Sequence, residues 1–451
     1  MPHAGQLRPG QHIRGIKDEV AAQVVTHHRH RENVKTVDRL LAHLGTCQTS
    51  EDLFEFQRHL FGAVFSTETH RAACSRIRKR LIRGERLPRD APELPDEYDA
   101  NRIDTWELEI FVAERVARQL RTVGDALAWR TFGFDRRVII ALSRNEPPGP
   151  MAGKDGLGYE LGKVEELWTT SRHFALLHDL TTCLRISDLT EVAPKQMLLH
   201  EVKKKRRVPH AQAARAQAAV DAIMTGGSLP GSEGDARLHQ LSTPFKADLR
   251  PIGDAIRLAR ERGAQGVGLP EGRMLFAASL ADLVRHHGHD YEAAATAVQD
   301  ARGAAIRRAR LDRATAHWIG NSGDTAGRSP VSAPIGIFPI SSADRAALIC
   351  DLLTVECVLA VDELVGELQA HGLSVTTLLP EAHQQIDPTA DVLQIRYRDR
   401  ALVANSSTTQ QLLFEFLRPS TWCAGVLELL RLPVLPAHPV MVFADEAKYW
   451  R

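Results

Sequence analysis

The sequence predicts a multidomain α/β protein that has a central α/β core, a mostly helical N-terminal region and a small C-terminal α/β unit. Its 451 residues suffice for about two to four domains of the usual size. Hydrophobic residues make up 43% and charged residues 25% of the chain, which excludes a mainly disordered or collagen-like protein. After residue 150, segments with helical apolar periodicity alternate with short strand-like segments, as is typical of α/β proteins.

The domain boundaries are predicted from breaks in composition. The proline-rich segment 145–150 follows a stretch whose apolar residues recur at helical spacing, and the Gly-, Ser- and Pro-rich stretch 319–335 is typical of a linker. In the last part of the chain the apolar pattern predicts a helix over about 342–371, followed by short strands and a further helix. The predicted regions are a helical N-terminal region (1–150), a central α/β domain (151–280), a helical segment with the linker (281–335) and a C-terminal α/β domain (336–451).

The charge and the cysteine content limit which cellular compartment and which binding partners we expect. No run approaches the ~18–20 apolar residues of a membrane-spanning helix, and the first residues have no apolar signal core, so we expect a cytoplasmic protein with no membrane partner. The six cysteines include no CxxC pair, which argues against a disulfide framework and a cysteine zinc site. The net charge of +1 means that any nucleic-acid-binding surface must be a local basic patch.

The central region shows a compact order of predicted elements. An amphipathic helix over about 157–170 is followed by the apolar stretch 174–177 and by two strand-like pieces, 186–192 and 197–203. An Ala- and Gln-rich helix over about 210–224 comes next. A helix near 251–262 and a strand near 272–277 could complete this domain.

The chemistry is concentrated in the two strand-like pieces, where Asp188 is followed after twelve residues by Glu201 and Lys203. Two strands joined by a short turn bring Asp188 and Glu201 to one edge, and alternation places Glu201 and Lys203 on one face. Two carboxylates can hold Mg²⁺ or Mn²⁺, and a bound metal activates water and stabilises charge on a phosphate. The lysine can serve the attacking water or the transition state. The pattern therefore predicts a catalytic site for phosphodiester hydrolysis.

This pattern resembles the PD-(D/E)xK nuclease superfamily over roughly residues 155–280. The resemblance implies a restriction endonuclease-like core in which Asp188 and Glu201 bind the metal and Lys203 is the catalytic lysine. It also implies an acid on the preceding helix, for which Glu160 is preferred over Glu165, and a glutamine on the following helix, either Gln212 or Gln217. The sequence departs from the family pattern in one place, because Ile-Ser-Asp stands where the family has Pro-Asp.

A run of cations follows the catalytic pattern directly and predicts contacts with the phosphate backbone of a nucleic acid. DNA is favoured over RNA as the substrate, and defence, restriction and repair remain open as the biological role. A homo-oligomer or a protein partner also remains open. The residues assigned to nucleic-acid binding are Lys204, Lys205, Arg206, Arg207, Gln212 and Arg215.

Two other functions compete with the metal-dependent nuclease. The first is a non-catalytic nucleic-acid-binding or scaffold protein that retains the nuclease fold. The second is a metal-independent ribonuclease that resembles the HEPN family, in which Arg172 and His178 would act on RNA. Two histidine clusters, 27–30 and 286–290, lack a second half with ligand spacing and are predicted to be solvated.

Overall fold

A computed structural model shows a mixed α/β protein, which confirms the predicted class. Among the described helices, none has the length and the hydropathy that crossing a bilayer requires. The structure describes residues 19–96, 98–144, 146–194, 196–202, 210–230, 236–288, 290–321, 329–378, 391–405, 408–436 and 438–451.

Helices dominate the first part of the chain and alternate with strands after residue 150. The described helices are α1 (Glu19–Thr26), α2 (His28–Thr46), α3 (Ser50–Ile82), α4 (Ile103–Thr131), α5 (Arg136–Leu142), α6 (Leu157–Ser171), α7 (His210–Thr225), α8 (Arg250–Arg262), α9 (Leu280–His287), α10 (Tyr291–Arg308), α11 (Ser342–Ile349), α12 (Val361–Ala370), α13 (Gln410–Phe414), α14 (Pro419–Leu430) and α15 (Glu446–Trp450).

The strands form several small sheets. The described strands are β1 (Phe174–Leu177), β2 (Leu189–Ala193), β3 (Gln196–His200), β4 (Ala236–Pro244), β5 (Ala264–Leu269), β6 (Arg273–Ser279), β7 (His317–Asn321), β8 (Leu353–Ala360), β9 (Ser374–Thr377), β10 (Asp391–Tyr397), β11 (Arg400–Asn405) and β12 (His438–Ala444). Strands β1, β2 and β3 make an antiparallel sheet in that order, and a second sheet has the order β5-β6-β8-β7. The other sheets are β9-β10-β11 and the parallel pair β4-β12.

The chain divides into two compact units. One comprises residues 19–131 and 142–216, and the other comprises 132–141 and 217–451. The predicted 151–280 domain is therefore shared between the units, because β4 pairs with the distant strand β12 rather than with the sheet of β1 to β3. At a finer scale than these two units, the four predicted regions remain predictions.

The order of elements predicted around the catalytic pattern is confirmed. The helix predicted at 157–170 is α6, the apolar stretch is β1, and the helix predicted at 210–224 is α7. The two strand-like pieces are β2 and β3, but β3 ends at His200, so Glu201 follows the strand instead of lying within it.

The predicted helix over 342–371 is wrong. The segment contains α11, then the strand β8, and then α12. Every residue of β8 is buried, since the strand lies between β6 and β7 in the centre of its sheet. A strand with both faces buried has a continuous apolar run, which periodicity alone cannot distinguish from a buried helix. The predicted helical segment and linker 281–335 likewise contains β7, and residues 322–328 of that linker lie outside the described residues.

Helices α3 and α4 support the sheet of β1 to β3 and the turn that follows β1. The Gln57 side chain hydrogen-bonds to the backbone of β1 as a neighbouring strand would. Its Nε2 donates to the Ala175 carbonyl at 2.8 Å, and its Oε1 accepts from the Leu177 amide at 2.9 Å. At Gly124 on α4, a Cβ atom would lie 1.8 Å from the Leu180 carbonyl oxygen. Only glycine therefore allows α4 to approach the 3₁₀ turn at His178–Leu180 this closely.

We predict that Gly124→Ala lowers the free energy of unfolding by about 3 kcal/mol, because the added methyl group meets backbone atoms that cannot rotate away. Gly62→Ala on α3 is the matched control, since a Cβ atom added at Gly62 would meet no neighbour among the described residues within 4 Å. That change should raise stability by about 0.5–1 kcal/mol through helix propensity. Urea unfolding of both variants measures the difference, and equal effects would contradict the close approach.

Candidate active site

Three carboxylates and one lysine converge beside the start of β2. Lys154 Nζ lies 2.7 Å from Glu160 Oε1, 2.7 Å from Asp179 Oδ2 and 4.0 Å from Asp188 Oδ1. The four residues come from the loop before α6, from α6 itself, from the turn after β1 and from the position directly before β2. Three carboxylates against one ammonium group leave an excess of negative charge, which attracts a further cation.

Glu160 is the most deeply buried member of this cluster, with 1% of its surface exposed. It lies in the first turn of α6 on the same face as Leu157, Val164 and Leu167, which are also buried. Burial raises the pKa of Glu160, the neighbouring Lys154 lowers it, and the net direction is upward. Within the described residues, Glu160 Oε2 is buried without a hydrogen-bond partner. A carboxylate oxygen in that state is suited to bind a ligand.

Asp188 is fixed against the end of β3 by backbone hydrogen bonds. Its amide donates to the His200 carbonyl at 3.0 Å, and its Oδ2 accepts from the Val202 amide at 2.7 Å. Leu189 pairs with His200 in the antiparallel ladder, so the register continued by one residue places Asp188 opposite Glu201. Glu201 is half-buried. The structure thus brings the two predicted metal-binding acids to the same edge.

A buried ion pair positions the loop that carries Lys154 and the 3₁₀ turn that contains Asp179. Arg121 Nη2 lies 2.6 Å from Glu68 Oε1, and Arg121 Nε donates to the Asp179 carbonyl at 3.0 Å. The other oxygen of Glu68 accepts from the Met151 amide at 2.6 Å. Because Met151 begins the loop that carries Lys154, one pair on α3 and α4 holds two of the four site residues.

Lys154 keeps its proton in this setting. Burial alone would lower the pKa of Lys154, but hydrogen bonds to Asp179 and Glu160 outweigh it and raise the pKa. The ammonium group therefore remains a cation that neutralises part of the carboxylate charge. The chain itself supplies a positive charge at the point where three acidic side chains meet.

The predicted nucleic-acid-binding residues are only partly covered by the structure. Lys203, which is predicted to be catalytic, and the basic run of Lys204, Lys205, Arg206 and Arg207 lie outside the described residues. Gln212 and Arg215 are half-buried on α7, and their contact with nucleic acid stays a prediction. Glu165, the second choice for the helix acid, is exposed on α6, whereas Glu160 is in the cluster.

The structure does not bring Arg172 and His178 together. His178 is 2% exposed and its Nε2 lies 2.7 Å from Thr190 Oγ1. Burial lowers the pKa of His178 to about 4. A buried neutral imidazole is a poor proton donor to an RNA phosphate at neutral pH.

Sequence analysis missed Lys154 and Asp179 as site residues. Lys154 lies in a loop between Gly153 and Gly156, and Asp179 lies in a one-turn 3₁₀ helix. Neither residue stands at a characteristic spacing from Asp188, Glu201 and Lys203, so the sequence pattern does not indicate it. The one signal is that Lys154 lies shortly before α6, the helix that carries Glu160.

A second polar cluster lies among the N-terminal helices and overturns one prediction. His27 and His30 are 1% and 0% exposed, so the predicted solvated cluster at 27–30 is wrong. The acceptor that allows burial of His27 is Glu109 on α4, whose Oε1 lies 3.1 Å from His27 Nε2. Sequence spacing could not indicate a partner that is 82 positions away.

Comparisons of the chain with protein-family models, with curated proteins and with solved structures gave no match.

We predict that Glu160→Gln raises the free energy of unfolding at pH 8. Because the folded-state pKa of Glu160 lies above its ordinary value of 4.5, its stabilising contribution is present below that value and is lost as the pH rises through the folded pKa. The gain in the variant should therefore vanish below about pH 4.5. Chemical unfolding across this pH range is the measurement.

The matched control for this prediction is Glu165→Gln, which removes an exposed carboxylate from the same helix. It should change stability by no more than about 0.5 kcal/mol at either pH. A loss of stability at pH 8 in Glu160→Gln would show instead that the contact with Lys154 is a net-stabilising structural ion pair.

Proposed function

We propose that the protein is a metal-dependent nuclease that hydrolyses phosphodiester bonds in DNA, with its active site at Glu160, Asp179, Asp188 and Glu201. The observation that carries the proposal is the convergence of three carboxylates on the Lys154 ammonium group, two of them at 2.7 Å. Acidic side chains gathered around a cation at a sheet edge are costly for stability and are typical of a catalytic site.

The donor set fits a hard divalent cation. Glu160, Asp188 and Glu201 offer carboxylate oxygens only, and Mg²⁺ and Mn²⁺ prefer oxygen ligands. The unpartnered Glu160 Oε2 is a donor that such an ion would use. A bound ion supplies an activated water and stabilises charge on the phosphate.

The remaining groups of the site have separate tasks. The amide of Val202 holds Asp188 in one orientation, and the buried pair of Arg121 and Glu68 holds the Asp179 turn. Lys154 would release its carboxylate contacts when the ion binds, and its ammonium group is then available to a phosphate oxygen. Lys203 would orient or deprotonate the attacking water.

The order of elements supports the finer assignment to a PD-(D/E)xK-like core. A helix with a buried acid precedes a three-stranded antiparallel sheet, an aspartate directly precedes its second strand, and a glutamate follows its third strand. A helix then follows, as the resemblance implies. The lysine contributed from before α6 is a feature that the resemblance does not imply.

DNA is proposed as the substrate because of the charge beside the site. The basic run 203–207 begins two residues after Glu201, and adjacent cations bind a phosphate backbone with strong salt dependence. A nucleic acid bound along this run would pass close to the carboxylates. The same run would serve a non-catalytic binding protein, so metal-dependent cleavage is the property that distinguishes the two functions.

We predict cleavage of DNA in Mg²⁺ or Mn²⁺ and none in EDTA. Linear, circular and single-stranded DNA and RNA should be compared, so that the substrate class is identified in the same experiment. Asp188→Asn and Lys203→Ala should each lower the cleavage rate by at least about 100-fold, because each removes a group that acts on the reacting phosphate or water.

Glu165→Gln is the matched control and should cleave as the wild-type protein does, since its carboxylate is exposed outside the cluster. DNA binding without cleavage under every metal condition would favour the non-catalytic binding protein. RNA cleavage that survives EDTA and Asp188→Asn but is lost in His178→Ala would favour the metal-independent ribonuclease.

A further inference from the structure

We propose that the helical part of the first unit holds a separate site for Zn²⁺ or a similar transition metal, formed by His70, Cys74 and Glu109. This site is independent of the proposed nuclease function, and it uses a different class of ligand atoms.

The three ligands come from two helices, and His27 lies beside Glu109. His70 and Cys74 are four residues apart on α3, so they lie on the same face of that helix. Glu109 projects from α4, and His27 is the residue that caps α2. The potential ligand atoms of His70, Cys74 and Glu109 all lie within 4.8 Å of one another.

The separations are close to those of a tetrahedral metal site. His70 Nε2 lies 3.3 Å from Cys74 Sγ and 2.8 Å from Glu109 Oε2, and His27 Nε2 lies 3.1 Å from Glu109 Oε1. Tetrahedral Zn²⁺ with ordinary bond lengths requires ligand atoms about 3.4–3.6 Å apart. The two contacts of His70 Nε2 therefore need to lengthen by only about 0.6 Å or less to admit the ion.

Contacts with His27, His70 and Arg29 satisfy the Glu109 carboxylate, but they do not explain why Cys74 Sγ lies against His70 Nε2. His70 Nε2 contacts both a thiol and a carboxylate oxygen. One ring nitrogen either donates a proton or accepts one, so it makes a good hydrogen bond with only one of the two groups. A metal ion satisfies all three groups at once, since sulfur, nitrogen and oxygen each direct a lone pair towards it.

The donor chemistry selects the metal. A thiolate with imidazole and carboxylate ligands is typical of Zn²⁺ and Co²⁺, whereas Mg²⁺ prefers oxygen ligands alone. Cys74, Glu109 and His27 are each at most 1% exposed, which is the closed environment of a structural site. This ligand set therefore separates the proposed zinc site from the carboxylate cluster.

Glu109 is ionised in the protein, whereas Cys74 must lose a proton before its sulfur can bind a metal. Although burial alone would raise the pKa of Glu109, hydrogen bonds from His27 and His70 and the charge of Arg29 hold it well below its usual range. The carboxylate is therefore ionised before metal arrives. Burial raises the pKa of Cys74 to about 12, so the sulfur–metal bond forms as the thiol proton leaves to solvent.

Arg29 and His27 contact Glu109 beside the proposed metal site. Arg29 Nε donates to Glu109 Oε2 at 3.0 Å and would continue to orient the carboxylate. The Arg29 amide donates to His27 Nδ1 over 3.3 Å, which leaves His27 Nε2 to contact Glu109 Oε1 beside the metal site.

The test is a Co²⁺ titration of the full-length protein after EDTA treatment and dialysis. We expect one equivalent of Co²⁺ to give tetrahedral visible bands and a near-ultraviolet thiolate-to-cobalt band, both removed by Zn²⁺. Cys74→Ser should abolish the near-ultraviolet band and weaken Zn²⁺ binding by at least about tenfold. His70→Gln is a second variant with the same expected loss of affinity, and far-ultraviolet circular dichroism verifies folding.

Cys47→Ser is the matched control, because Cys47 is a buried thiol of the same unit that contacts backbone carbonyls. This variant should keep the thiolate band, and so should Asp188→Asn, whose altered residue belongs to the carboxylate cluster. Absence of a thiolate band in the wild-type protein, or its survival in Cys74→Ser, would overturn the zinc proposal and leave the proposed nuclease function untouched.

Discussion

The proposed active site depends on the buried ion pair between Arg121 and Glu68. This pair joins α3 to α4, and its remaining hydrogen bonds reach the Met151 amide and the Asp179 carbonyl. Loss of either partner would leave an uncompensated buried charge, which typically costs about 3–5 kcal/mol. Helices of the N-terminal region therefore position the loop that carries Lys154 and the turn that contains Asp179. The proposed site depends on these helices as well as on the sheet.

The local order of the fold was predictable because each element around Asp188 has a clear signal. Helix α6 has a regular apolar face, and β2 and β3 are short segments bounded by turn residues. The missed features are non-local. Strand β8 is buried on both faces and lacks alternation, while β4 pairs with a strand about 200 positions later along the chain. No spacing rule in the sequence encodes such a pairing.

The same distinction separates the predicted and the missed site residues. Asp188 and Glu201 were found because a short antiparallel hairpin fixes their relation, and Glu160 because it borders an apolar helix face. Lys154 and Asp179 join the site through tertiary contacts with α3 and α4, so no local pattern marks them. The resulting site combines an acid-rich sheet edge with a cation from the chain, and the cost of that arrangement is consistent with a functional role.

The most direct test of the account is the position of a bound metal ion. A crystal of the full-length protein soaked in Mn²⁺ should give an anomalous peak within coordination distance of Glu160 and Asp188, about 2.0–2.3 Å from their carboxylate oxygens. The Lys154 ammonium group should have moved away from Glu160. An ion bound elsewhere, with Lys154 still between Glu160 and Asp179 in a protein that cleaves DNA, would contradict the proposed active site.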